Sequence, residues 1–329
     1  MIKGLFLLDP KAYDMIYRPH VRLQIQQLVD IYTSLQTSQS VASDPSVLSQ
    51  AEVIFSGWGC PTFTEDLLKA APHLKAIFYG AGSIRYFVTE ALWERGIIVS
   101  TAYKSNDIPV VEFTLAQILL GLKRYWHHVE HYKLNSQWAQ LPAPGGFGST
   151  VGLVSLGMIG SLLAERLMTF ELKVIAYDPF ATQDRADQLG VQLCSLEEVF
   201  QRADVVSLHT PWLPETEGLI TGAHIASMKP GATFINTARG AVVREVEMVS
   251  ALQARPDLCV LLDVTYPEPP LPDSPLLKLP NVYITPHIAG PNENECKRNG
   301  QYVIAELKRY LNGEPLQFAI TRQRAAIMA

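Results

Sequence analysis

Short apolar runs, bounded by glycine, proline or charged residues, recur along the chain and have the length of buried strands. They lie at residues 2–8, 53–55, 76–79, 97–99, 151–155, 174–177, 205–208, 233–236, 260–263 and 282–284. Between them, apolar residues recur with helical spacing at residues 64–70, 84–95, 158–170, 196–202 and 243–254. This alternation predicts an α/β fold of parallel, doubly wound sheets with helices on both faces.

Two longer segments also have helical spacing. The first is predicted from residue 108 to about 132, because Asn106 or Asp107 can cap its start and Pro109 suits its first turn. The second is predicted from about residue 291 to 311, where Asn312-Gly313 ends it. Residues 141–148 are rich in proline and glycine and are predicted to form a loop, and residues 9–19 are expected to form another.

With 329 residues the chain exceeds the size at which a single core usually stops growing, so two domains are expected. The long helical segments mark the places where the chain passes from one domain to the other. We therefore predict one α/β domain from residues 1–105 and 292–329, and a second from residues 106–291. A ligand is expected in the cleft, as is usual in such folds.

The composition is that of an ordinary folded protein, with 48% hydrophobic and 18% charged residues. A formal charge of -5, without any run of Lys and Arg, argues against nucleic acid as a partner. The first apolar run is too short for a signal-peptide core or a membrane span. Four scattered cysteines without a CxxC pair argue against a disulfide scaffold or a zinc site and are typical of a cytoplasmic protein. His127, His128 and His131 lack a nearby Cys or acid at ligand spacing, so a polar helix face is favoured over a metal site.

Residues 150–160 run from an apolar strand directly into a helical pattern, which is the context of a turn that binds a dinucleotide pyrophosphate. In the G-x-G-x-x-G fingerprint the first glycine makes the tight turn, the second lets the backbone approach the pyrophosphate, and the third allows close helix–strand packing. These positions are Ser155, Gly157 and Gly160, so the first glycine is missing.

An acid stands at the end of the next predicted strand. Asp178 follows Gly160 by 18 residues, where a carboxylate can accept hydrogen bonds from ribose hydroxyls and repel a 2′-phosphate. This position favours NAD over NADP. The alternative is that Asp178 opens a turn, since Asp before Pro is a frequent turn starter.

Three segments farther along place polar residues just after predicted strands, where the ligand sites of α/β proteins collect. Residues 228–240 carry Arg239, residues 261–270 carry Asp263 and Glu268, and residues 282–290 carry His287. Taken singly, His287 could be an ordinary loop residue, Arg239 a surface residue before a turn glycine, and Glu268 a solvated charge.

Together these segments resemble the D-isomer-specific 2-hydroxy-acid dehydrogenase family, which includes phosphoglycerate, glycerate and formate dehydrogenases. The resemblance extends to residues 79–82 and 106–113, to residues 209–211 with Thr216, and to the run that starts at Gly148, and so covers most of the chain. It implies a Rossmann NAD-binding domain at residues 106–291 and a flavodoxin-like substrate domain at residues 1–105 and 292–329.

The resemblance also implies an activity, the interconversion of a 2-oxo acid and a D-2-hydroxy acid with NAD(H). A homodimer is implied as well, with the region after Asn106 as a contact. The alternative is an NAD(H)-responsive binding or co-regulator protein, because the family includes transcriptional corepressors that keep the same fold and the same catalytic residues.

The family's catalytic triad maps onto Arg239, Glu268 and His287. Reduction of a 2-oxo acid needs a proton donor and a fixed positive charge, because negative charge grows on the carbonyl oxygen. His287 can supply the proton, Glu268 can hold the other ring nitrogen, and Arg239 can grip carboxylate and carbonyl oxygens with its planar fork.

By the same resemblance, the backbone N–H groups of Ala81 and Gly82 receive the substrate carboxylate. Asp263 is expected to meet the nicotinamide carboxamide, although it could instead cap the turn after its strand. The residues expected to bind the cofactor are Gly157, Met158, Ile159, Gly160, Asp178, His209, Thr210, Pro211, Thr216, Thr237, Ala238, Asp263, His287 and Gly290.

The chain departs from the family pattern at several positions. Ser155 replaces the first glycine of the fingerprint and Met158 replaces a common arginine, so a looser pyrophosphate turn is expected. Arg85 stands where the family often has acids and could attract a second anionic group, but an exposed residue on the first turn of a helix is favoured. Trp58 could face a ligand, but packing under its loop is favoured.

Overall fold

The computed structural model describes residues 1–136 and 138–327, and the chain divides into two compact units. The first unit comprises Met1–Asp107 and Pro291–Ala329, and the second comprises Ile108–Gly290. The strands are β1 (Lys3–Leu7), β2 (Asp30–Ile31), β3 (Val53–Ser56), β4 (Ala76–Tyr79), β5 (Ile98–Thr101), β6 (Thr150–Val154), β7 (Lys173–Tyr177), β8 (Gln192–Leu193), β9 (Val205–Leu208), β10 (Thr233–Asn236), β11 (Cys259–Leu262), β12 (Val282–Ile284) and β13 (Ala319–Ile320). The helices are α1 (Pro10–Ile16), α2 (Pro19–Leu28), α3 (Ser38–Ser43), α4 (Glu65–Ala70), α5 (Glu90–Glu94), α6 (Tyr103–Leu122), α7 (Tyr125–Asn135), α8 (Met158–Leu167), α9 (Gln183–Gln188), α10 (Leu196–Arg202), α11 (Gly222–Ala226), α12 (Glu245–Ala254), α13 (Glu293–Leu311) and α14 (Arg322–Ala325).

The sheet of the first unit has the strand order β13-β5-β4-β3-β1-β2. Strands β1 to β5 are parallel, and β13 pairs with β5 in the antiparallel direction. Without β13 this is the 2-1-3-4-5 order of flavodoxin-like folds. Phe6, Phe55 and Phe78 lie in register on neighbouring strands, and their rings pack against one another in the core.

The sheet of the second unit is entirely parallel, in the order β12-β11-β10-β9-β6-β7-β8. This is the Rossmann order, and it reverses direction between β6 and β9, where such sheets bind their ligands. Phe234 and Leu262 belong to one core cluster, whereas Ile235 and Leu261 belong to the other. Both faces of the sheet are therefore buried, which confirms the prediction of doubly wound α/β sheets.

All ten predicted strands are present, and their observed ends lie within two residues of the predicted ones. Sequence reasoning misses β2, β8 and β13, each of which has only two residues. A run of two residues carries no alternation or apolar stretch, so the partner strand decides whether it joins a sheet.

The predicted helix from residue 108 to about 132 is wrong in both its start and its continuity. Helix α6 begins at Tyr103, so Asn106 and Asp107 lie inside the helix and Pro109 is an interior residue. The chain leaves the helix at Arg124, whose φ of 51° is in the left-handed region, before α7 begins. The guanidinium of Arg124 donates to the carbonyls of Pro142 and Asp257, contacts from distant residues that apolar spacing does not reveal.

Two further local predictions are corrected by the structure. Only Glu90–Glu94 is helical within residues 84–95, and Arg85 lies in a turn rather than in a helix. Residues 9–19 contain α1, which Asp9 caps by accepting a hydrogen bond from the N–H of Lys11. Asp-Pro is a helix-start signal as well as a turn signal, and here the helix forms.

The other local predictions agree with the structure. Helix α13 ends at Leu311, and Gly313 follows with a φ of 70°, as expected for a glycine after a helix C-terminus. Residues 141–148 form a loop.

Among the described residues, no helix combines the length and the apolar character that a membrane span requires.

Candidate active site

His287 and Glu268, two of the predicted catalytic residues, form a close polar pair. His287 follows β12 and Glu268 follows β11, so both stand at the carboxyl edge of the second unit's sheet. The Nδ1 atom of His287 lies 2.5 Å from Oε1 of Glu268, and both side chains are about half exposed, at 47% and 41%. A carboxylate can only accept hydrogen bonds, so Nδ1 of His287 carries the hydrogen in this contact. The other ring nitrogen, Nε2, is then the one that can exchange a proton with a ligand.

Asp263 holds the loop that carries His287. Its buried carboxylate accepts hydrogen bonds from the hydroxyl of Thr285 at 2.6 Å and from the N–H groups of Ile288 and Ala289 at 2.8 and 2.9 Å. The backbone of His287 has a φ of 53°, a left-handed conformation that a non-glycine residue adopts only when its surroundings impose it. Asp263 therefore acts as a loop anchor, although the loop lies after β12 rather than directly after its own strand.

Arg239 is placed by the loop that follows β10. The side chain of Asn236 accepts from the N–H of Ala238 at 2.9 Å and donates to the carbonyl of Arg239 at 3.0 Å. Sequence reasoning misses Asn236, although its place at a strand end, three residues before Arg239, is a usable signal. The next residue, Gly240, approaches the backbone of Thr265 so closely that a Cβ on it would lie 2.1 Å from the Thr265 carbonyl carbon. The Arg239 loop therefore packs directly against the loop that leads to Glu268.

The dinucleotide turn keeps a left-handed residue at the first fingerprint position, although the glycine is missing there. Ser155 has a φ of 78°, which is the left-handed conformation for which the fingerprint uses glycine. Its hydroxyl lies 2.8 Å from the hydroxyl of Thr210. A Cβ on Gly160 would lie 2.1 Å from the Ser155 carbonyl oxygen, whereas one on Gly157 would meet no atom within 4 Å. Gly160 thus permits close packing, and Gly157 opens α8 beside free space.

Asp178 organises this turn from the end of β7. Its carboxylate accepts from the N–H of Leu156 at 2.7 Å and from the N–H groups of Phe180 and Ala181 at 2.8 and 3.0 Å. The turn-opening interpretation of Asp178 is therefore observed. A carboxylate has about four acceptor positions, so these three bonds leave room for one more donor.

The residues at the switch point fit a dinucleotide. The turn at Gly157 is open, α8 begins there without a side-chain cap, and the carboxylate of Asp178 stands at the end of the neighbouring strand. A helix N-terminus of this length presents N–H groups and a positive dipole end to a pyrophosphate.

The loop after β9 contains residues with a structural function. The imidazole of His209 is buried, and its Nε2 lies 2.9 Å from the hydroxyl of Ser207. Burial lowers the pKa of His209 from 6.5 to about 4, so the ring is neutral at neutral pH. Within this loop, the hydroxyl of Thr216 accepts a hydrogen bond from the N–H of Leu213 and donates one to the carbonyl of Pro211. The side chains of His209 and Thr216 are thus engaged within the protein.

Ala81 and Gly82 lie in the first unit, directly after β4. The carbonyl of Ala81 accepts from the N–H of Ala102 at 3.1 Å. A Cβ on Gly82 would lie 2.8 Å from the side-chain nitrogen of Asn106, so a larger residue there would have to displace that side chain. Within residues 1–136 and 138–327, the N–H groups of Ala81 and Gly82 have no hydrogen-bond acceptor. Ala81 is fully buried, and a buried N–H without an acceptor is rare in proteins.

The remaining predicted positions have ordinary structural surroundings. Trp58 packs against the core of the first unit, which confirms the favoured interpretation. Arg85 is exposed. His128 uses Nδ1 on the carbonyl of Arg124 and Nε2 on the N–H of Leu141, so it belongs to the helix–loop contact around α7. The described residues contain no cluster of three or more His, Cys, Asp or Glu side chains that could hold a metal ion.

Comparison with known proteins identifies relatives over most of the chain. Curated relatives include the D-3-phosphoglycerate dehydrogenases of Archaeoglobus fulgidus, 33% identical over 257 residues, and of Mycobacterium bovis, 36% identical over 255 residues. These matches cover 78% and 77% of this chain, but only 49% and 48% of the relatives. The chain therefore spans about half the length of the curated relatives that it matches.

Solved structures match over nearly the full chain. D-lactate dehydrogenase from Aquifex aeolicus, solved with NAD and lactic acid, has a TM-score of 0.73 and 27% identity, over 95% of this chain and 96% of its own. The holo form of D-mandelate dehydrogenase from Rhodotorula graminis has a TM-score of 0.81 over 98% of this chain and 99% of its own; at 24% identity it shows the shared fold alone.

The second unit also matches a family model. Residues 116–289 match the model of the D-isomer specific 2-hydroxyacid dehydrogenase, NAD binding domain. The matched segment lies within the second unit, whose turn at Gly157 and carboxylate at Asp178 are suited to a dinucleotide. Because this match covers more than half of the chain, the protein belongs to the D-isomer-specific 2-hydroxyacid dehydrogenase family.

Proposed function

We propose that this chain is an NAD(H)-dependent oxidoreductase that interconverts a 2-oxo acid and a D-2-hydroxy acid, with His287 as the general acid and base. The observation that carries the proposal is the 2.5 Å contact between Nδ1 of His287 and the carboxylate of Glu268 on a half-exposed edge of the sheet. A histidine held in one tautomer by a carboxylate, with its second nitrogen turned to a ligand, is suited to proton transfer.

Each catalytic residue has a distinct task in this proposal. In the reduction direction, Nε2 of His287 donates its proton to the carbonyl oxygen, and Glu268 compensates the positive charge that the ring carries before the transfer. Arg239 stabilises the negative charge on the substrate with its planar guanidinium. NADH, when bound, supplies the hydride for the carbonyl carbon. In the oxidation direction His287 accepts the proton.

We assign the binding tasks to the two units as the family resemblance implies. Residues 106–291 bind NAD through the turn from Gly157 to Gly160, with Asp178 at the ribose and Asp263 near the nicotinamide. Residues 1–105 and 292–329 bind the substrate, whose carboxylate accepts the N–H groups of Ala81 and Gly82. The absence of any other acceptor for these two N–H groups in the described residues supports this assignment.

The decisive assay follows NADH and NADPH oxidation with glyoxylate, pyruvate, hydroxypyruvate, phenylpyruvate and oxaloacetate. We expect turnover with at least one acid, and a preference for NADH. His287→Gln should lower kcat by at least about a hundredfold, because general acid–base catalysis contributes that much. His73→Gln, at an exposed position away from the candidate residues, is the matched control.

Two outcomes would contradict the proposal. A complete lack of turnover with the panel would favour a cofactor-responsive binding protein. Full activity in His287→Gln would remove His287 from the reaction while leaving the family assignment intact.

We also propose a homodimer in which a second copy covers α7 and the loop that follows it. Helix α7 has no buried residue. Tyr132, Leu134, Trp138 and Phe147 are exposed there by 52%, 73%, 94% and 83%. Large apolar side chains gathered in one exposed segment are typical of an interaction surface.

Sedimentation velocity or light scattering tests this surface. Trp138→Glu should shift the chain from dimer to monomer at micromolar concentration. Val246→Glu, at a position that is 82% exposed on α12, is the matched control and should leave the mass unchanged. A parent chain that is already monomeric would refute the homodimer.

The cytoplasm is the compartment that we propose for this protein. Its four cysteines are free, and Cys60, Cys259 and Cys296 are buried. Free thiols persist in a reducing compartment. Fractionation of native cells with an antibody against the chain would test this assignment.

A further inference from the structure

Asn299 makes a contact that neither the family resemblance nor the catalytic residues account for. It lies in the middle of α13, is fully buried, and its side-chain nitrogen donates to the carbonyl oxygen of Gly80 at 3.0 Å. The two residues are 219 positions apart in the chain. Gly80 immediately precedes Ala81, the first residue of the loop assigned to the substrate carboxylate.

Because the peptide group is planar, this contact also fixes the direction of the N–H of Ala81. The carbonyl of Gly80 and the N–H of Ala81 belong to one trans peptide group, so they point in opposite directions. By holding the carbonyl toward α13, Asn299 turns the N–H of Ala81 away from the helix. The next peptide is held in the same way, because the carbonyl of Ala81 accepts from the N–H of Ala102 and so directs the N–H of Gly82.

The contact of Asn299 with Gly80 leaves one polar atom of Asn299 unsatisfied, which lowers the stability of the folded state. Its Oδ1 atom is buried and has no hydrogen-bond partner among the described residues. An apolar side chain of similar volume would avoid this unsatisfied oxygen, although it would leave the Gly80 carbonyl without a donor. These two effects oppose each other, so stability alone gives no strong reason for asparagine at this position.

The surrounding backbone keeps α13 close enough for the contact. A Cβ on Gly300 would lie 2.3 Å from the carbonyl oxygen of Ile16, so the helix touches the C-terminal end of α1 at this point. A Cβ on Gly80 would in turn lie 2.6 Å from the side chain of Ile16. Small residues on both sides of Ile16 thus bring Asn299 within hydrogen-bond distance of the loop.

We propose that Asn299 is a positioning residue for substrate binding, because it orients the N–H of Ala81 toward the carboxylate of the 2-oxo acid. This inference rests on the proposed function, in which that carboxylate binds at Ala81 and Gly82. Asn299 touches neither substrate nor cofactor in this proposal and acts only through the Gly80–Ala81 peptide.

The test compares Asn299→Leu with the parent enzyme on the best 2-oxo acid of the panel. The variant removes the donor and keeps the number of side-chain heavy atoms and the branching at Cγ. We expect KM for the 2-oxo acid to rise about tenfold, which is the loss expected from a misdirected hydrogen bond to a charged group. The inhibition constant of oxamate, a non-reducible analogue with the same carboxylate, should rise by the same factor. The kcat value and KM for NADH should change by less than about twofold.

Asn281→Leu is the matched control. Asn281 is also buried, and its side-chain nitrogen donates to the carbonyl of Arg255 at 3.2 Å, in the second unit. It has the same chemistry as Asn299 without a link to the substrate loop, so its loss should affect the melting temperature and leave KM and the oxamate constant unchanged. Asn299→Ala, which removes the donor without adding bulk, replaces Asn299→Leu if that variant does not fold.

The outcomes separate this inference from the function on which it rests. If the parent turns over a 2-oxo acid and a folded Asn299 variant keeps KM and the oxamate constant within twofold of the parent, Asn299 has no positioning function. An equal rise of both constants in Asn281→Leu would also overturn it, since the effect would then be one of general stability. If the parent turns over no 2-oxo acid, the proposed function fails first.

Discussion

Ser155 offers a direct test of whether the dinucleotide turn is strained. Its φ of 78° places a residue with a Cβ in the left-handed region, which costs about 1–2 kcal/mol relative to glycine. Its hydroxyl is 2.8 Å from that of the buried Thr210, a contact worth about 1 kcal/mol net. The two terms have opposite signs, so two substitutions at this position separate them.

Ser155→Ala removes the hydrogen bond and keeps the strain, so it should lower the free energy of unfolding by about 1 kcal/mol. Ser155→Gly removes both, and glycine adds about 0.4–1 kcal/mol of entropy to the unfolded chain. Because the relief of about 1–2 kcal/mol is larger than this entropy term, the glycine variant should be more stable than the alanine variant by about 0.5–1 kcal/mol. The free energy of unfolding of the glycine variant should lie close to that of the parent.

Urea unfolding of the full-length chain, with the slope m equal across variants, measures these differences. Ser250, an exposed residue of helix α12, provides the matched pair. There the order should reverse, with alanine more stable than glycine by about 0.5–1 kcal/mol, because the backbone is helical. If alanine is also the more stable residue at Ser155, the turn is not strained and our explanation of the missing glycine is wrong.

Three further predictions follow from particular contacts. Gly240→Ala places a Cβ 2.1 Å from the backbone of Thr265. We expect this substitution to lower the free energy of unfolding by about 1–3 kcal/mol and to lower kcat. An unchanged kcat would show that the Arg239 loop tolerates displacement. Asp178→Ser removes the carboxylate that would repel a 2′-phosphate, so the ratio of kcat/KM for NADPH over NADH should rise at least about tenfold; a constant ratio would remove Asp178 from cofactor selection. Burial raises the pKa of Asp107 to about 7, opposed by the charge of Arg324. A carboxyl group whose pKa is raised in the folded state contributes stability at low pH, and this contribution is lost as the pH rises toward 7. Asp107→Asn should therefore be more stable than the parent at pH 8 and similar to it at pH 4. Equal melting temperatures of the two proteins at pH 8 would contradict this prediction.

The strands of both sheets could be predicted because parallel sheets are buried on both faces. Their segments, such as β10 and β11, are continuous apolar runs that end at polar residues. Helix boundaries were harder to predict. Helix α6 begins five residues before the predicted start, and the break at Arg124 depends on the carbonyls of Pro142 and Asp257, which lie 18 and 133 positions away in the chain.

In the candidate site, too, some residues could be predicted from the sequence and others could not. Arg239, Glu268 and His287 could be found from the sequence because each follows a recognisable strand, and neighbouring parallel strands bring their carboxyl ends to one edge. The left-handed backbone of Ser155 could not be inferred, since a serine after a strand has no conformational signature of its own. Asn299 gave no signal either, because a polar residue on an amphipathic helix is read as exposed.

The sequence by itself determined the two doubly wound units, the family, and the residue types available for proton transfer and charge stabilisation. These properties depend on local apolar patterns and on residues that stand next to strands. Only the tertiary structure decided which backbone N–H groups are left for a ligand. The direction of a peptide group depends on what holds its carbonyl, and for Gly80 that partner is Asn299, from the other end of the chain.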